Sequence, residues 1–198
     1  MEFKKIQLNG FKSFADKTSF LIEDGLTGIV GPNGCGKSNI VESLRWVMGE
    51  TSAKSMRGSG MEDVIFSGTS NKASKNIAEV SVSVANENNE GPIQFRELDE
   101  VNVRRKIEKD KGSKFYINDK EVRARDAQMF FADLSTGAHS PSMISQGRIG
   151  ALVTAKPTDR RAILEEAAGI SGLHVRRHEA ELRLSAAENN LKRADELR

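Results

Sequence analysis

A chain of 198 residues with 37% hydrophobic, 29% charged and 6% aromatic content can bury one substantial core, which excludes a disordered chain and leaves no room for a second full enzyme domain. No apolar stretch approaches the roughly 20 residues of a spanning helix, and the N-terminal MEFKKIQLNG lacks the apolar run of a signal peptide, so the expected location is the cytosol with no membrane contact. The net charge of +2 implies no partner class, and the one cysteine, Cys35, excludes an internal disulfide and suits a reducing compartment.

The first thirty residues read as strands over Phe3 to Leu8, Thr18 to Ile22 and Leu26 to Val30, broken by Asn9-Gly10 and Asp24-Gly25 turn signals. From Asn39 to Met48 the apolar residues Ile40, Val41, Leu44, Val47 and Met48 recur with helical spacing, predicting a helix packed on a sheet. Residues 49 to 76 read as an extended loop with an apolar insert at Val64 to Phe66. Val80, Val82 and Val84 alternate with polar residues, the pattern of a half-buried strand. Beyond a turn at Asn86 to Pro92, extended segments over Gln94 to Lys106 and Lys114 to Arg123 predict an antiparallel meander, followed by a helix over Ala124 to Leu134.

The last third changes character. A helix start at Pro157-Thr158-Asp159 leads into a stretch in which Leu173, Ala180, Ala187 and Ala194 repeat every seven residues, with Leu184 and Leu191 at the complementary core position. Arg177 interrupts the seam, and an amphipathic helix lying on the domain would show much the same pattern. The expected division is a globular lobe over residues 1–158 and a helix over residues 159–198 that begins a longer rod.

Chemistry concentrates at Gly31-Pro-Asn-Gly-Cys-Gly-Lys-Ser38, which matches G-x-x-x-x-G-K-[ST] between a candidate strand and a candidate helix. Glycines at 31, 34 and 36 let the loop wrap so that main-chain N–H groups point inward at phosphate oxygens, and the helix N-terminus adds its positive end. In such a loop Lys37 reaches the β- and γ-phosphates and the Ser38 hydroxyl is a ligand for Mg²⁺, with Pro32, Asn33, Gly34, Cys35 and Gly36 forming the cradle. Cys35 occupies a variable position, where a small side chain that fits is the better reading than a catalytic thiol.

A hydrolase of this kind also needs an apolar strand ending in Asp with a neighbouring Glu. The one candidate, Leu98-Asp99-Glu100-Val101, fails because Phe95-Arg-Glu-Leu98 puts two charges where a central strand is uniformly apolar, and Asp195-Glu196 lies on the terminal helix. Leu134-Ser-Thr-Gly137 imitates a Leu-Ser-Gly-Gly signature but continues with Ala138-His139, and His174 and His178 have zinc-pair spacing without a third ligand cluster. The phosphate cradle is expected here without the hydrolytic carboxylates. A stand-alone P-loop kinase or GTPase would need a base-recognition motif and its own acidic metal ligand, and neither is found.

These features together resemble the N-terminal lobe of the head of the SMC (structural maintenance of chromosomes) family, ABC-type ATPases whose two lobes lie at opposite ends of a long chain. The matching segments are Leu8-Asn-Gly-Phe-Lys-Ser-Phe14, the loop with its Asn39 extension, Trp46-Val-Met-Gly-Glu50, Ser55-Met-Arg57, Met61-Glu-Asp-Val-Ile-Phe66, Ile144-Ser-Gln-Gly-Arg148 and Glu165-Glu-Ala-Ala-Gly-Ile170. The resemblance implies an α/β fold, the N-terminal lobe of a P-loop NTPase with a mixed and antiparallel sheet and a C-terminal helix that begins a coiled coil. It implies ATP and Mg²⁺ as cofactors, Gln146 at the Q-loop position on Mg²⁺ or the attacking water, and Arg57 at an arginine-finger-like position. It also brings Lys12, Ser13 and Asn39 near the nucleotide and Asp63 near the base or ribose.

What the family implies for partners is a C-terminal lobe of the same chain, a homodimer through the full-length protein, a kleisin with accessory subunits, and DNA bound without sequence preference at the nucleoid. The fragment alone is expected to be nearly inactive as an ATPase. The segment from Val101 to Arg125, with nine Lys/Arg against four acids, is the candidate phosphate footprint, although a solvated hairpin explains it equally well. An SMC-like DNA-repair ATPase with a nuclease partner is the alternative reading.

Overall fold

A computed structural model of the chain describes residues 1–86, 92–134, 143, 156–167 and 171–196. Six strands form one sheet in the order β2-β1-β3-β4-β5-β6, where β1 is Glu2–Asn9, β2 Thr18–Leu21, β3 Ile77–Ala85, β4 Glu100–Glu108, β5 Gly112–Ile117 and β6 Lys120–Val122. Every pairing is antiparallel. The helices are α1, Lys37–Val47; α2, Ala124–Asp133; α3, Pro157–Ala167; and α4, Ser171–Glu196.

β3 is central, and Val80, Val82 and Val84 are buried as their alternation requires. Its register pairs Val82 with Val103 and Val84 with Val101, so β4 extends the same apolar face. Against that face α1 packs Ile40, Trp46 and Val47, and the Trp46 ring meets Phe11 at 5.4 Å between centroids. Each such fully buried side chain contributes about 1.5–3 kcal/mol of apolar burial. Of the expected stripe Ile40, Leu44, Val47 and Met48 face the core, whereas Val41 is exposed and Glu42 and Ser43 are buried.

Four expectations differ from the structure. Leu26 to Val30 forms no strand, and Leu26 and Val30 are 100% and 94% exposed, since no strand among the described residues pairs with it. Among the described residues every strand pair is accordingly antiparallel, without the parallel-type unit expected before the meander. Residues 93–95 form a 3-10 turn instead of extended chain, because the buried Asn86 side chain donates to the carbonyls of Phe95, Arg96 and Leu98 at 3.0–3.1 Å and folds that segment back. The segment Lys114 to Arg123 is two strands joined by a tight turn in which Asn118 and Asp119 both have positive φ, 47° and 63°, as a primed hairpin turn demands.

The side chains of Ala180 to Arg193 on α4 are all exposed, including Leu184 and Leu191 of the heptad seam. The helix also meets α2 of the lobe, so this exposure belongs to the stretch from Ala180 to Arg193. No helix among the described residues is long and apolar enough to cross a membrane.

Candidate nucleotide-binding site

The loop Gly31 to Ser38 is exposed on one side and ends in α1, whose first residue is Lys37. Gly34 and Gly36 adopt φ of 83° and 97°, left-handed values that a side chain disfavours. At Gly31 the approach is a different one: a Cβ there would lie 2.8 Å from Cys35 Sγ, which would have to turn aside. The Lys37 ammonium folds across the loop and donates to the Gly31 and Pro32 carbonyls, both at 2.6 Å. Among the described residues, the main-chain N–H groups of residues 33–36 are donated to no main-chain carbonyl. Unspent N–H groups at the start of a helix, beside an ammonium, form a concave donor set suited to an anion with several oxygens. The Ser38 hydroxyl is exposed at the helix start, an oxygen ligand of the kind a hard cation takes.

The segment after β1 closes the other side. Asn39 donates its side-chain N–H to Ser13 Oγ at 2.9 Å and accepts from Arg57 Nη2 at 3.4 Å. Lys12 and Arg57 both have left-handed backbones, with φ of 47° and 56°. Their cations converge on Glu42: Lys12 Nζ reaches Glu42 Oε2 and also donates to the Met56 carbonyl, while Arg57 Nη2 reaches Glu42 Oε1. Thus Lys12 and Ser13, Asn39, and Arg57, from three segments distant in sequence, meet along one side of α1.

Glu42 is the residue that sequence reasoning missed. Its signal was modest: a carboxylate one helical turn after Ser38 and Asn39, in a helix whose other buried residues are Ile40, Ser43, Trp46 and Val47. Asp63 has other hydrogen-bond partners, its Oδ2 accepting from the Ser59 N–H at 2.7 Å, the Ser59 hydroxyl at 2.8 Å and the Gly60 N–H at 2.9 Å. Those donors, the Gly60 N–H foremost, hold its carboxyl below the usual range, so the group is an anion that fastens the turn before Met61. Gln146 and Leu134-Ser-Thr-Gly137 beyond its first residue lie outside the described residues, as do the side chains of His174 and His178. Among the described residues no His, Cys, Asp and Glu cluster suits a metal. Asp99 and Glu100 are exposed, at and just before the start of the antiparallel strand β4.

The basic segment resolves into several roles. Arg105 is buried, stacked 4.5 Å over Trp46 and 4.6 Å over Phe115, and donates to the carbonyls of Trp46 and Glu50 at 2.7 Å. It thereby satisfies the C-terminal end of α1 and bolts the helix to β4, which accounts for the Trp46 to Glu50 motif. Burial pushes its guanidinium down to about 10, against the opposing influence of the Glu50 carboxylate. Arg104 pairs with Glu79 and Asp119, Lys111 with Glu108, and Lys114 with Glu121. Lys109, Lys120 and Arg123 are the exposed cations of the segment without an ion pair among the described residues.

Residues 2–149 match the family described as RecF/RecN/SMC N terminal domain. The chromosome partition protein Smc of Cereibacter sphaeroides is 56% identical over 197 residues, which cover 100% of this chain and 17% of that protein. A chain solved in work on ATP-driven dimerization and DNA stimulated activation of SMC ATPases is 32% identical, with a TM-score of 0.71 over 84% of this chain and 99% of that one. The Smc head domain of Pyrococcus furiosus, with an extended coiled coil and bound to the C-terminal domain of ScpA, is 32% identical with a TM-score of 0.79 over 99% of this chain and 49% of that one. The chain spans about a sixth of the length of the curated relatives it matches (16–17%). By the extent of the match, the glycine loop and the antiparallel lobe that carries it, this chain belongs to the RecF/RecN/SMC N-terminal domain family.

Proposed function

We propose that this chain is the ATP-binding half of an SMC head, residues 1–158 forming the lobe and residues 159–198 the start of the coiled-coil neck. The observation that carries the reading is the loop at residues 31–38, with its unspent N–H groups and the Lys37 ammonium folded over them. Pro32 to Asn39 cradle the triphosphate, Lys37 answers its β- and γ-oxygens, and the Ser38 hydroxyl is offered to Mg²⁺. Arg57 offsets charge on the transferring group, Gln146 supplies an uncharged oxygen near the metal, Ser13 orients Asn39, and Lys12 and Asp63 lie at the margin. Bound Mg-ATP supplies the charge that makes the engaged state of two heads differ from the open one.

Hydrolysis needs carboxylates and a signature motif that belong, in this reading, to the C-terminal lobe of the same chain and of its partner. The exposed Leu26 to Val30 segment supports that reading, since it is an apolar strand sequence that lacks a neighbour among the described residues. The exposed Leu184 and Leu191 support a returning coil helix in the same way. The Pyrococcus furiosus head bound to ScpA supports a kleisin partner, with accessory subunits attached through it. DNA contact is directed at phosphates without sequence preference, with Lys109, Lys120 and Arg123 as the available cations at the nucleoid. The full protein acts in chromosome condensation and segregation.

Calorimetric titration with Mg-ATP tests the site directly, using this lobe assembled with the C-terminal one. Saturable binding is expected and Lys37→Ala abolishes it; equal affinity in the variant sinks the proposal.

A further inference from the structure

Glu42 is buried on α1, its side chain about 10% exposed, and it faces two cations at once. A lone buried carboxylate is costly and is retained where charge compensates it. Here the compensation is doubled and unequal. The Lys12 side chain is 13% exposed and is fixed by its second bond to the Met56 carbonyl, whereas the Arg57 side chain is 59% exposed and adds only a 3.4 Å contact with Asn39. Arg57 is thus the partner that can leave, and Lys12 the one that stays.

We infer that Glu42 is a positioning residue that holds the Arg57 guanidinium against α1 and yields it to a competing polyphosphate, Lys12 remaining as the counterion. This rests on the reading of Arg57 as a phosphate-facing group. With one carboxylate and one cation the departure of Arg57 would strand a buried charge; with Lys12 in place it does not. Both cations also project from left-handed backbone, a conformation that is unfavourable for a non-glycine residue and persists where surrounding contacts enforce it. Asn39 links the pair to the loop, since its side chain touches Arg57 on one side and Ser13 on the other.

A competing internal partner lowers apparent ligand affinity by the fraction of molecules in which the group is free. Glu42→Gln therefore tightens binding of a non-hydrolysable Mg-ATP analogue by roughly 5-fold in the assembled head, as expected for a guanidinium held in most molecules. Removing a nearby negative charge would also tighten binding without any competition, so the deciding comparison is made in the Arg57→Ala background. There Glu42→Gln leaves affinity unchanged if the two residues act through each other. Glu42→Asp, which keeps the charge opposite Lys12 but shortens the reach, gives a smaller gain in the same direction and covers the case in which the amide variant does not fold. Equal tightening with and without Arg57, or no tightening in either folded variant, overturns the inference. Arg57→Ala with unchanged affinity and turnover would instead remove the reading of Arg57 itself, a separate and recognisable failure.

Discussion

A Cβ built on Gly36 would lie 2.6 Å from Ser13 Oγ, so the glycine at the end of the phosphate loop is the contact through which that loop meets the segment following β1. Ser13 in turn accepts from Asn39, the first residue beyond the loop's Ser38. Gly36→Ala therefore suffers twice, from a φ of 97° and from displacement of Ser13. We expect it to weaken Mg-ATP binding by about tenfold or more, matching the 1–2 kcal/mol that left-handed backbone costs a side chain. Gly34→Ala is the informative contrast, because its φ is 83° but its added Cβ meets nothing within 4 Å. Titration of both variants should show the larger loss at Gly36.

Arg105 is a structural cation, and its neighbour Arg104 is a surface one. Arg105→Met removes the guanidinium donor to the Trp46 and Glu50 carbonyls, of which Trp46 keeps the Gly49 N–H, and removes the stacking on Trp46 and Phe115. The expected loss is roughly 3 kcal/mol, within the range for buried polar groups deprived of a partner. Arg104→Met breaks pairs with Glu79 and Asp119, the latter 90% exposed, and should cost no more than about 1 kcal/mol. Denaturant unfolding of the two variants separates a bolt at the end of α1 from solvated charge on the sheet.

Asp63 gives a pH dependence of known sign. Its folded carboxyl is held below the ordinary aspartate value of 3.8 by the Gly60 and Ser59 donors. A depressed folded value contributes stability that is present above the unfolded value and is lost as pH falls through the folded one. Amide exchange at Ser59 and Gly60 should accelerate on acidification below about pH 4 beyond the intrinsic trend. Asp63→Asn should remove that acid step while leaving exchange in β3 unchanged.

Much of the lobe is legible in the residues because local pattern and tertiary demand agree there. The alternating valines of β3, the glycine loop running into α1 and the α2 helix all follow their sequence patterns. Leu26 to Val30 has the composition of a strand, but a strand is completed by its neighbours, and sequence pattern carries no information on whether they are present. Arg105 and Glu42 escaped for a related reason: each is a charge at a buried position, and only the fold supplies the carbonyls or cations that make burial tolerable. Arg57 and Asn39 were singled out through family resemblance, whereas the carboxylate between Arg57 and Lys12 emerged only from their convergence.

The central claim is that this lobe holds ATP while another stretch of polypeptide supplies the machinery that cleaves it. Steady-state phosphate release, measured with the lobe alone and then with the separately expressed C-terminal lobe, tests it most directly. The account predicts negligible turnover from the first and restored, DNA-stimulated turnover from the second. Brisk hydrolysis by these 198 residues alone would contradict it.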